Sequence, residues 1–121
     1  MDIGIGLDAT LNLSFADQAA LSQEAARLGY TNIWTPENTG QDAFQLCSQR
    51  WAASCQVIPE GLTTGIGVSP VLYRTPIAFA MSGGTVSQLT GAVSSWGLWL
   101  EVRTVPGCDR ALACHASQRW P

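Results

Sequence analysis

Three short apolar runs, each broken by glycine or stopped by proline, alternate with three stretches of helical spacing in the first 91 residues. That alternation constrains the fold more than any single motif. "DIGIGL" (2–7) suits a buried strand of a parallel sheet. "SFADQAALSQEAARLGY" follows, with Ser14 as a predicted N-cap, Asp17 in the first turn and Gly29 as a predicted C-cap. "TNIWT" (31–35) is a second strand, stopped by Pro36. "DAFQLCSQRWAASC" reads as a second helix with Phe44, Cys47, Trp51 and Cys55 on one face, and Asp42 as its N-cap. "LTTGIGVSPV" (62–71) is a third strand. "PIAFAMSGGTVSQLT" is a third helix opened by Pro76, with Gly83 and Gly84 weakening its middle.

Strand, helix, strand, helix, strand, helix is the signature of parallel βαβ units with right-handed crossovers. The class is α/β, and two closures are open: a doubly wound sheet, or part of a (β/α)8 barrel. Both gather functional residues at the C-terminal ends of strands. Here those ends are Leu7–Asp8, Pro36–Asn38 and Gly67–Pro70.

Composition narrows the partners. Hydrophobic residues make up 46% and charged residues 12%, which excludes a disordered chain. Net charge is −3, lysine is absent and no basic stripe occurs, so nucleic acid is not an expected partner. No run of apolar residues is long enough to span a membrane. The opening "MDIGIGLDAT" carries two acids and no base, unlike a signal peptide, so the expected location is the cytoplasm. Cys47, Cys55, Cys108 and Cys114 match no zinc spacing. Cys47 and Cys55 read as small buried hydrophobes. His115 is the single histidine, so no metal is expected and no Ser–His–Asp arrangement is available before Gly91.

The candidate chemistry lies in two places. In "PENTGQD", Glu37 and Asn38 follow the second strand, where a carboxylate could take a proton and an amide could orient a ring. The same residues also suit a plain turn. In "TTGIGVSPVLYRTP", Gly65 and Gly67 flank Ile66, a pattern that marks a bulge or close ligand approach. No phosphate-binding glycine loop occurs. Arg74 reads as an exposed loop residue able to meet an anion.

Three segments, "EAARLGYTNIWTPEN", "TTGIGVSPVLYRTPIAFA" and "TVSQLTG", make residues 1–91 resemble the amino-terminal part of the luciferase-like monooxygenase family. The resemblance implies a (β/α)8 barrel and an oxidoreductase using FMN or the deazaflavin coenzyme F-420, acting on a small-molecule substrate. It implies cofactor-facing roles for Glu37 and Asn38. It also implies a bulge with a non-proline cis peptide near Gly65, Ile66 and Gly67, backing the ring. Some deazaflavin-dependent relatives carry histidine at the position matching Asn38.

After Gly91 the pattern breaks. Residues 92–121 hold three of the five tryptophans, two of the four cysteines and the histidine. In the family, "LTG" leads into Gly-Arg-Phe and an apolar strand. Allowed codons for Gly91–Gly97 (GGG GCC GTT TCA TCC TGG GG), read from the last base of the first, spell Gly-Arg-Phe-Ile-Leu-Gly. The expectation is therefore a frame-shifted tail over 92–121, on three or four barrel units where a whole barrel needs about 250 residues. The competing reading of the tail is a true fourth strand. A non-catalytic α/β fragment or small interaction module is the alternative function, with self-association through exposed sheet edges.

Overall fold

The computed structural model describes residues 3–37, 40–91, 96–99 and 115–118. Strands β1 (Gly4–Gly6), β2 (Asn32–Pro36) and β3 (Thr63–Val68) form one parallel sheet in the order β1-β2-β3. Helices α1 (Phe15–Arg27) and α2 (Ala43–Ser54) are the crossovers, and α3 (Pro76–Thr90) follows β3. The chain is thus α/β with a partial βα repeat. Strands β4 (Trp96–Trp99) and β5 (His115–Gln118) pair antiparallel in a separate two-stranded sheet. β4 lies near β3 but is not part of its hydrogen-bonded ladder. The rest of the 92–121 tail lies outside the described residues.

Local chemistry sets the helix ends. Ser14 Oγ accepts the Asp17 N–H at 3.1 Å, closing the first turn of α1. At the other end Gly29 adopts φ 84°. The Gly29 N–H donates to Ala26 O and the Tyr30 N–H to Ala25 O, the paired bonds of a Schellman cap. Asp42 caps α2 by accepting the N–H groups of Phe44 (2.9 Å) and Gln45 (3.0 Å). Thr75 caps α3, Pro76 occupies its first turn, and Gly91 ends it in the left-handed region. α3 runs unbroken through Gly83 and Gly84.

Helices α1 and α2 contribute to the core on one face of the sheet, and α3 packs against α2 and joins the same core through Val86. Ile33, Leu7 and Leu62 meet Ala25 and Ala26 of α1, while Ile66 meets Ala43, Phe44 and Cys47 of α2 and Val86 of α3. Ile5, Ile33 and Thr64 are in register, as are Thr35 and Ile66, so these residues share that face. A doubly wound sheet would carry helices on both faces. The opposite face is paved with small residues: Gly4 and Gly6 of β1, and Gly65 and Gly67 of β3, around Asn32 and Trp34 of β2.

Two expectations are corrected, the face of α2 and the cis peptide, while one is met. β2 ends at Pro36 as expected, with Pro36 itself its last residue, where the ladder shifts register. The buried face of α2 contains Ala43, Phe44, Leu46, Cys47, Arg50 and Ala53, while Trp51 and Cys55 are half-buried. The helix is turned by the hydrogen bonds that hold Arg50 inside. No peptide bond among the described residues is cis.

Candidate functional site

The C-terminal ends of β2 and β3 converge on one guanidinium. Arg74, expected in an exposed loop, forms ion pairs with Glu37 Oε1 and Asp42 Oδ2. Its guanidinium also lies 4.8 Å from the Phe44 ring centroid and 5.6 Å from that of Phe79. The two rings meet edge to face at 5.9 Å. Burial alone would lower the Arg74 pKa, but the two carboxylates raise it above the ordinary value. Burial likewise acts to raise Asp42; the N–H groups of Gln45 and Phe44 together with Arg74 outweigh it and hold the carboxyl below its usual range.

Glu37 is buried in this network, its side chain only 2% exposed. One carboxylate oxygen takes the ion pair and a long hydrogen bond from the Ala43 N–H at 3.4 Å; the other accepts from Ser69 Oγ. Its backbone N–H donates to Val68 O at 2.7 Å. The carboxylate is committed on both oxygens. It joins the end of β2 to the start of α2 and the end of β3, and it does not face open space. Asn38 lies outside the described residues.

Gly65, Ile66 and Gly67 divide by face. Ile66 is buried among the helices. Gly65 is covered by Trp34: a methyl group there would stand 2.6 Å from the indole ring. At Gly67 no described heavy atom would come within 4 Å, and the same is true of Gly6. The ladder pairs Thr35 with Ile66 and Pro36 with Val68, so Gly67 is the extra residue of a bulge. The expected bulge is therefore present, formed from trans peptides. Trp34 Nε1 donates to Asn32 Oδ1 at 3.1 Å, fixing the indole beside this glycine surface.

A second polar cluster was not anticipated from the sequence. Arg50, only 3% exposed, donates to Thr35 Oγ1 and, at 2.8 Å, to Gln18 Oε1. Gln18 Nε2 in turn donates to Leu13 O and Gln41 Oε1. The available signal was Arg50 itself, a charge within an apolar helical stretch. Cys47 is a buried free thiol whose pKa is pushed up by burial, in line with an inert hydrophobe. Among the described residues no group of acidic, histidine and cysteine side chains is arranged to hold a metal. No described helix is long and apolar enough to cross a membrane. No family model matches the chain, and no curated protein matches it.

Proposed function

We propose that residues 1–91 are the first three units of a luciferase-like (β/α)8 oxidoreductase, and that the helix-free face of the sheet receives the planar ring of FMN or coenzyme F-420. The single observation that carries this reading is the placement of the three described helices to one side of the sheet, leaving Gly6 and Gly67, beside Trp34, with no described heavy atom near where a methyl group would stand. A barrel has helices outside and strands inside, whereas a doubly wound sheet does not. A flat ring needs a floor without side chains, and the bulge at Gly67 adds backbone groups free of the ladder.

The cofactor, when bound, supplies hydride or electron transfer to a small-molecule substrate. This chain's residues do the positioning. Gly6 and Gly67 admit the ring, and Trp34 walls one side. Glu37 acts through Arg74 and Ser69 to hold the strand-end loops in place rather than by touching the ring. Contacts for a cofactor phosphate belong to later barrel units in this family, so affinity for the isolated chain is expected to be low.

Titration with FMN and with F-420, followed by quenching of cofactor and tryptophan fluorescence, tests the reading. The expected dissociation constant is about 100 μM, near −5.5 kcal/mol, and Gly67→Leu removes the quenching while leaving the fold intact. Saturable quenching that is unchanged in Gly67→Leu, or none at about 1 mM cofactor, overturns the ring site.

A second reading, a non-catalytic module that associates through its surface, is favoured by one observation. Leu72, Ile77 and Met81, just before and along α3, are 83%, 70% and 67% exposed. Sedimentation velocity across a concentration series separates the two: association weakened by Ile77→Glu, without cofactor quenching, supports the module.

A further inference from the structure

Buried Arg50 is among the residues lining a cavity of about 270 Å³ between α1, α2 and the ends of β1 and β2. Asp8, Asn12, Gln18, Gln41 and Leu46 share its wall. This cavity lies at the C-terminal ends of β1 and β2, lined also by α1 and α2, and neither Gly6 nor Gly67 lines it. Arg50 is held by two neutral partners, Thr35 and Gln18, which use two of its five N–H groups. Its Nε is buried without a hydrogen-bond partner. Among the described residues no carboxylate ion-pairs with it. A buried cation without a counter-charge is costly, and a neutral side chain would tie α2 to β2 and α1 at lower cost. Burial accordingly lowers the Arg50 pKa from its ordinary value.

We propose that this cavity binds a compact oxyanion, the carboxylate or phosphate end of a small molecule, through the uncommitted N–H groups of Arg50. Guanidinium matches both groups in shape and charge. Gln18, itself 3% exposed, fixes the guanidinium in advance, so little entropy is lost on binding. The exposed carboxylate of Asp8, held ionised by the backbone N–H of Thr10 at 2.8 Å, opposes anions at the same cavity and limits their affinity.

Isothermal titration of the full chain with sodium phosphate and with sodium acetate, at low ionic strength, tests the site. Binding near 1 mM is expected, with preference for phosphate pointing to a phosphate ester and preference for acetate to a carboxylic acid. Arg50→Gln should weaken binding at least about tenfold, and Asp8→Asn should tighten it about threefold. Absence of binding up to about 50 mM of either anion overturns the proposal, as does unchanged affinity in a folded Arg50→Gln variant. If Arg50→Gln does not fold, Asp8→Asn decides: tighter binding supports the site, and unchanged affinity overturns it.

Discussion

Arg74 gathers two carboxylates and two aromatic rings around one guanidinium, and its neighbours are distant in sequence. Asp42 is 32 residues away. Nothing local marks an arginine before a helix as paired; the register of β2 against β3 brings Glu37, held by Ser69, to Arg74. Removing one partner of such a pair leaves a buried charge behind. Arg74→Met should therefore destabilise the fold by about 3 kcal/mol, read as a lower urea midpoint at constant slope. Glu37→Gln in the same chain should recover part of that loss, because the stranded charge is removed. Acid acts on the same network through Asp42. Its carboxyl sits below its ordinary value of 3.8 in the folded state. The stability it contributes is complete above that value and lost as pH falls through the lower folded one. The urea midpoint should drop as pH falls below the ordinary value of 3.8, and Asp42→Asn should make that drop shallower.

At the scale of elements, caps were legible and faces were less so. Ser14, Asp42, Pro76 and Gly29 each stand where the sequence predicts, because capping is decided within a few residues. The face of α2 was not legible, since its rotation depends on Thr35 and Gln18 holding Arg50 from two other elements. α3 overrides its own weak centre. Its caps and the burial of Val86 keep it helical through two glycines. A methyl group at Gly84 meets nothing within 4 Å among the described residues. Gly84→Ala should thus stabilise the chain by about 0.5–1 kcal/mol, measured as a rise in the thermal midpoint.

For the whole molecule, the buried residues of both core clusters, among the residues whose burial is described, lie between Leu7 and Val86. The described tail strands pair with each other and not into the β1-β2-β3 ladder. Deleting 92–121 should therefore cost less than about 1 kcal/mol in urea denaturation, whereas loss of a ladder strand would cost several. The expectation of a shifted reading frame concerns residues mostly outside the described ones. It is met or refused by the gene: an open frame past the Gly91 codon reading Gly-Arg-Phe supports it, and none excludes it.

The sequence by itself determined the order and type of the elements and most of their ends, because hydrophobic period and capping chemistry act over a few residues. It also marked the Gly65–Gly67 stretch as a place for an irregularity, which the register places at Gly67. Tertiary structure alone decided which sheet face the helices cover, since a βα repeat has the same local pattern in an open sheet and in a barrel. It also decided the roles of three charged side chains. Glu37 and Arg74 neutralise each other across a strand register, while Arg50 is buried with neutral partners against a cavity. Charge pairing in a low-dielectric interior depends on distances of a few ångströms between remote segments, which packing sets and residue order does not.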